Sequence, residues 1–93
     1  MEIVTKMKPI KYVRFEYVEN VIEVPCCDFI ELMEDLEDTD IVNRVVIYNS
    51  KLADYLEGLG LITSNAKGSY CKTNKFDEEW PKIREEYYKL LDD

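Results

Sequence analysis

The sequence predicts a single α+β domain over residues 1–93, and three observations support this prediction. β-Branched and aromatic residues are concentrated between residues 10 and 24, which favours strands. Two later segments, near residues 28–36 and 50–59, carry apolar residues at helical spacing. With 46% apolar residues, the chain can bury one modest core. The expected order is an N-terminal β-hairpin followed by three helices, with a second hairpin in the C-terminal half.

The N-terminal hairpin is predicted over residues 10–24, with Glu19 and Asn20 as its two-residue turn. This register sets two apolar pairs opposite each other on one face, namely Tyr17 with Ile22 and Phe15 with Val24. On the other face it places Glu16 opposite Glu23. Because like charges directly opposite each other cost stability, this pair counts against the register.

A first helix is predicted after Pro25, which ends the strand. Asp28, followed by Glu31 three residues later, resembles a capping box at the start of a helix. Apolar residues then recur at i, i+3, i+4 and i+7, the spacing of an amphipathic helix with one buried face. These residues are Phe29, Leu32, Met33 and Leu36.

Residues 41–48 fit either a strand or a short buried helix, because an apolar run of this length does not distinguish the two. Asn49 or Ser50 then caps a second helix. Gly60 provides the left-handed residue that ends this helix, and Leu61 is expected to fold back onto its last turn. The predicted inner face consists of Leu52, Tyr55, Leu56 and Leu59.

The C-terminal third is predicted to contain a hairpin within residues 62–76 and a final helix. Two short β-prone pieces flank a polar segment that contains Gly68. The helix is predicted to begin at Asp77 or Trp80, with Pro81 tolerated in its first turn. Its predicted inner stripe consists of Trp80, Ile83, Tyr87 and Leu90.

The second predicted helix ends in an LxxxGLI pattern at residues 56–62, and Gly68 would lie at the tip of the following hairpin, ahead of Tyr70 and Thr73 on the return strand. In these motifs, residues 50–76 resemble the recognition helix and wing of a winged-helix domain. The resemblance covers under a third of the chain. It departs from the family upstream, because residues 41–48 look more like a strand than the expected preceding helix and the N-terminal hairpin is extra.

The resemblance implies DNA-binding transcriptional regulation as an alternative function. Recognition helices of this kind contact bases in the major groove through their exposed residues. The residues expected to point outward here are Lys51, Asp54, Glu57 and Gly58. Two acids and one base suit a polyanion poorly, so DNA contact would depend on the wing. Its candidate residues are Lys67, Lys72 and Lys75.

Catalytic and metal-binding signatures are lacking in the sequence. Histidine, the commonest general base and metal ligand, is absent. The three cysteines, Cys26, Cys27 and Cys71, have no CxxC spacing, and reduced thiols are expected. No EF-hand pattern or recognisable pocket accompanies the carboxylates, which disfavours calcium binding and glycoside hydrolysis. We therefore expect a non-enzymatic protein with no cofactor and no metal.

The expected compartment is the cytoplasm, either of the cell that encodes the protein or of a host cell. No apolar run approaches the roughly 20 residues that a membrane-spanning helix requires. Residues 1–6 also lack the basic start and apolar stretch of a signal peptide. No membrane partner is therefore predicted.

The charge distribution is the most informative feature of the chain. Between Glu16 and Asp40 there are ten carboxylates and no lysine or arginine, in a chain of net charge −8. A one-signed segment of this length repels polyanions and attracts basic surfaces. Direct nucleic-acid binding is therefore not expected. Ordinary helix surfaces mix both signs, since like charges at i, i+4 are destabilising.

The predicted partner-binding residues are the outward acids of the first helix and one exposed tyrosine of the last, namely Asp28, Glu31, Glu34, Asp35, Asp38 and Tyr88. These residues favour a small acidic protein that docks on a basic protein surface. By size and charge it looks like phage- or virus-encoded inhibitors of nucleic-acid-binding host proteins. The simpler alternative is a solvated face that keeps the domain soluble. Four other tyrosines are expected to pack in the fold: Tyr12, Tyr17, Tyr48 and Tyr55.

Overall fold

The computed structural model describes residues 1–7, 9–65 and 68–92. Within these residues it confirms the α+β architecture, with two small antiparallel sheets and three helices. The strands are β1 (Glu2–Met7), β2 (Ile10–Tyr17), β3 (Asn20–Pro25), β4 (Val45–Val46), β5 (Ile62–Ser64) and β6 (Ser69–Lys72). The helices are α1 (Cys26–Glu37), α2 (Ser50–Gly58) and α3 (Asn74–Asp92).

The first sheet has the order β1-β2-β3, so the predicted hairpin is confirmed and gains a third strand. Its predicted register is wrong by two residues. Phe15 lies opposite Ile22, and the turn begins at Val18, whose φ of 57° is left-handed. The observed register places Arg14 opposite Glu23. It therefore replaces the like-charge pair of the predicted register with an attractive one.

Helix α1 begins at Cys26, two residues before the predicted start. Pro25 is its N-cap, with a φ of −52°, and no side chain among the described residues caps the helix by a hydrogen bond. The predicted capping box is therefore wrong. Asp28 lies inside the first turn instead, where its carboxylate is close to the positive end of the helix dipole.

Residues 41–48, all of which the structure describes, form no helix and contain the two-residue strand β4. The next element, α2, is capped by Asn49 as predicted. The side-chain oxygen of Asn49 accepts a hydrogen bond from the backbone N–H of Leu52 at 3.0 Å. This bond satisfies one of the free donors at the start of the helix.

The C-terminal end of α2 is confirmed at Gly60, which has a φ of 78°. The N–H of Gly60 donates to the carbonyl of Glu57 at 2.9 Å, and the N–H of Leu61 donates to that of Leu56 at 3.1 Å. This pair of bonds defines a Schellman motif. Leu59 is the C-cap and is 37% exposed, so its assignment to the inner face is wrong, because it lies past the last helical residue.

The predicted second hairpin is confirmed as β5 and β6, and β4 pairs with the other side of β6. Helix α3 begins at Asn74, before the predicted starts at Asp77 and Trp80, so Pro81 lies inside the helix and not in its first turn. Proline at this position removes one backbone hydrogen bond. Among the described residues, none of the helices combines the length and the apolar character that a membrane-spanning helix needs.

The core lies between the first sheet and the three helices. Its largest fully buried side chains are Phe29, Phe76, Met33, Leu36, Leu52, Leu61 and Val13. A buried polar residue, Thr39, connects the end of α1 to β6. Its hydroxyl donates to the carbonyl of Leu36 at 2.7 Å and accepts from the backbone N–H of Lys72 at 2.9 Å. These two bonds hold the C-terminal end of α1 against β6.

Candidate protein-binding surface

The outer side of α1, together with its C-cap residue Asp38, carries the five carboxylates predicted from the sequence. All five are exposed, namely Asp28, Glu31, Glu34, Asp35 and Asp38, and together they are called the acidic face. The opposite side of the helix is buried through Phe29, Met33 and Leu36. On a helix, residues three or four positions apart have Cβ atoms about 5–6 Å from each other. The acidic face is therefore a closely spaced row of negative charge.

The acidic face receives no counter-charge from the described residues. Within the same acidic block, Glu23 forms an ion pair with Lys6, and the carboxylate of Glu37 is 3.9 Å from Arg84. Both of these acids lie outside the acidic face. The five carboxylates of the face form no ion pair with any lysine or arginine that the structure describes.

Asp40, the last acid of the block, has a structural role instead. Its Oδ1 atom accepts hydrogen bonds from the backbone N–H groups of Val42 at 2.8 Å and Asn43 at 2.6 Å. These bonds lower the pKa of Asp40, because they stabilise the ionised carboxylate. Asp40 thereby organises the loop after α1 and is not part of the acidic face.

Tyr88 is 48% exposed on α3, but the structure does not bring it onto the acidic face. Its ring contacts that of Tyr87 edge-on, with centroids 5.4 Å apart. Tyr87 packs in turn on Phe29, at 5.5 Å, and donates from its hydroxyl to the carbonyl of Cys26 at 3.1 Å. Tyr88 therefore adjoins the inner side of α1, whereas the carboxylates lie on the outer side.

A second exposed feature follows α1 in the chain and was not predicted. Four apolar residues lie largely in solvent, namely Ile41 (84% exposed), Val42 (85%), Val46 (52%) and Tyr48 (93%); together they are called the apolar strip. The prediction that Tyr48 packs in the fold is wrong, whereas Tyr12, Tyr17 and Tyr55 are partly buried. Clustered exposed apolar residues are typical of interaction sites.

The exposure of residues 45–48 alternates along the chain. Val45 and Ile47 are partly buried, whereas Val46 and Tyr48 are exposed. This is the period of two that a strand imposes. The sequence conceals it, because all four residues are apolar and such a run does not indicate which face points outward. A strand assignment for residues 41–48 could have predicted the alternation, but not which residues face solvent.

The three lysines predicted for the alternative DNA-contacting wing do not share one environment. Lys67 lies outside the described residues. The ammonium group of Lys72 is 2.9 Å from Asp77 and donates to the carbonyl of Glu37 at 2.8 Å, so it serves internal contacts. Lys75 is exposed in the first turn of α3. The predicted outward residues of α2 are indeed exposed, namely Lys51, Asp54, Glu57 and Gly58.

Two side chains with potentially nucleophilic groups, Cys26 and Tyr55, have raised pKa values. Burial raises the pKa of the Cys26 thiol, which disfavours the reactive thiolate. Burial, together with the charge of Glu86, also raises the pKa of Tyr55. Among the described residues, no three potential metal ligands are grouped around one position. The described surface carries exposed negative charge and exposed apolar area.

Comparisons with protein-family models, curated proteins and solved structures return no match to this chain.

Proposed function

We propose that this chain is a non-enzymatic binding protein that docks through its acidic face onto a basic surface of another protein. The observation that supports the proposal is the row of five exposed carboxylates on α1 and its C-cap, which has no counter-charge among the described residues. Complementary potentials accelerate encounter and exclude wrong partners. A basic surface would supply the cations that the described residues of the domain do not direct at the acidic face.

The stability cost of the acidic face argues against a purely solvated surface. Glu31 and Asp35 are four positions apart, as are Glu34 and Asp38, and like charges at this spacing destabilise a helix. The last turn of α1 contains no basic residue, although cations are favoured at that end. Interleaved lysines would keep the domain equally soluble at a lower cost, so a binding role accounts better for the one-signed face.

The partner we propose is a protein whose basic surface otherwise holds nucleic acid. Such surfaces present clustered lysine and arginine side chains to phosphates. A row of carboxylates on a helix can form ion pairs with the same lysine and arginine side chains. The chain would then act as an inhibitor by competition, in the manner of phage- or virus-encoded inhibitors of host proteins.

The test is a paired pull-down from the native host at low and high salt. The bait variant reverses three charges of the acidic face: Glu31→Lys, Asp35→Lys and Asp38→Lys. The control variant makes the same total charge change at exposed acids elsewhere: Glu57→Lys, Glu78→Lys and Asp92→Lys. We expect the bait variant to lose partners that the wild type and the control variant retain, most clearly at low salt. Equal capture by all three proteins would refute the proposal.

A winged-helix DNA-binding regulator is the second candidate, because α2 is followed by a hairpin with Gly68 near its turn. Two exposed acids on α2 and the internal contacts of Lys72 count against it. A gel shift with duplex DNA discriminates the two functions. The docking proposal predicts no appreciable binding at about 150 mM salt, whereas sub-micromolar binding would favour the regulator.

A further inference from the structure

A groove lies between α1 and the segment that contains β4. It has a volume of about 280 Å³, and a cavity of about 150 Å³ suffices for a benzene ring. One carboxylate, Asp28, lies among otherwise mainly apolar lining residues. These residues are Val24, Pro25, Leu32, Val46, Ile47, Tyr48, Asn49 and Leu52. The groove therefore offers room for one or two large apolar side chains.

The acidic face and the apolar strip meet at this groove. On the α1 side, Asp28 and Leu32 line it, and helical spacing places Glu31 and Asp35 three residues beyond them on the same flank. On the other side, the lining includes Val46 and Tyr48, the two members of the apolar strip nearest α2. An apolar slot is thus bordered by carboxylates on one wall.

We propose, on the basis of the proposed function, that this groove receives an apolar side chain from a partner segment in which lysines or arginines flank that residue. The charge of the wall selects this occupant. A second copy of the chain would bring a further net charge of −8 against the acidic face, and nucleic acid would be repelled in the same way. A neutral apolar segment would leave the carboxylates without a cation. A basic segment with an apolar residue would pair its cations with the carboxylates of α1 and bury its apolar side chain in the groove.

The test uses three short fluorescein-labelled peptides of equal length and fluorescence anisotropy. The first peptide has two leucines flanked by lysines. The second replaces the leucines by serines, and the third replaces the lysines by glutamines. At about 0.15 M salt we expect the first peptide to bind roughly 10- to 100-fold more tightly than the second, as expected for burial of a leucine side chain. The third peptide should bind more weakly than the first, and its affinity should not fall with salt.

Two exposed positions provide the protein variants. The double variant Val46→Ser and Tyr48→Ser alters the groove without touching a fully buried residue. The control, Val18→Ser, removes an apolar residue that is 84% exposed in the turn between β2 and β3, away from the groove. We expect the double variant to abolish the advantage of leucine over serine, and the control to preserve it.

The outcomes separate the groove from the proposed function. If both lysine peptides bind with equal affinity, the groove inference is wrong although the acidic face still functions. If neither lysine peptide binds, or if Glu31→Lys with Asp35→Lys leaves their affinity unchanged, the proposed function fails as well. Backbone amide NMR shifts on titration of the first peptide give an independent check, and shifts away from Leu32 and Val46 would also overturn the groove inference.

Discussion

The position of each charge along α1 predicts opposite effects of the same substitution on stability. Asp28 lies in the first turn and Asp35 in the last turn of the helix. Each substitution to lysine changes the net charge from −8 to −6. Both variants therefore reduce the overall charge repulsion by the same amount. We expect Asp35→Lys to raise the free energy of unfolding and Asp28→Lys to leave it unchanged or lower it.

The expected difference follows from two local effects. Asp35→Lys replaces repulsion from Glu31 at i, i+4 by attraction, and each contribution is about 0.2–0.5 kcal/mol. It also exchanges an anion for a cation near the negative end of the helix, where each exposed charge contributes at least about 0.3 kcal/mol. Asp28→Lys gains a similar attraction to Glu31 but loses the favourable end of the dipole. The two variants should therefore differ by about 1–2 kcal/mol.

Thermal and urea denaturation followed by circular dichroism provide the measurement. For a domain of this size, about 1 kcal/mol corresponds to a shift in Tm of roughly 4–8 °C. The difference between the Asp28→Lys and Asp35→Lys variants should shrink in about 1 M salt, where the screening length is about 3 Å. If both variants gain equal stability, net charge and not position on the helix governs stability, and the argument that the acidic face carries a local cost is refuted.

Three further predictions concern single contacts. Thr39→Val removes the acceptor of the Lys72 N–H and should cost about 1–3 kcal/mol in urea titrations, whereas Thr39→Ser should cost much less. Gly58→Ala should destabilise the domain, because its Cβ would overlap the Tyr17 hydroxyl and lie 3.0 Å from Cζ of that ring. In a Tyr17→Ala background the same change should stabilise by about 0.5–1 kcal/mol, and an unchanged sign would disprove the contact. Burial, followed by the nearby Cys26 thiol, raises the pKa of Tyr87. The neutral phenol of Tyr87 therefore contributes fully to the free energy of unfolding below the unfolded-state pKa of about 10. This contribution is lost as the pH rises further. Tyr87→Phe should reduce the loss of stability between about pH 10 and 12, and an identical pH profile would contradict this.

The positions of α1 and α2 and both ends of α2 were predictable because they depend on local information, whereas the cap of α1 and the start of α3 were predicted wrongly. The apolar spacing in α1 and α2, the Asn49 cap and the left-handed Gly60 follow from residues within a few positions of each other. The hairpin register depends on more distant residues. The observed register places Arg14 opposite Glu23, but it requires a left-handed φ at Val18, which is unfavourable for a β-branched residue. Local turn propensity does not reveal that cross-strand pairing outweighs the unfavourable turn conformation.

The candidate surface was predictable only in part for a related reason. The direction of the acidic face follows from the apolar stripe on the opposite side of α1, so one helix suffices to predict it. The groove requires the packing of α1, β3, β4 and α2 at once. The exposure of Tyr48 depends on the phase of a strand only two residues long. These properties arise from tertiary contacts that a sequence pattern does not encode locally.

The two halves of the proposed surface would contribute to different steps of binding. Exposed carboxylates act over about 8 Å at physiological salt, so the acidic face would mainly raise the association rate. Apolar burial in the groove acts only at contact and would mainly slow dissociation, the step in which most affinity differences arise. A charged row without the groove would form fast, short-lived complexes with any polycation. The adjacent groove would convert this general attraction into a preference for basic segments that carry an apolar residue at the right position, a form of specificity that charge alone does not provide.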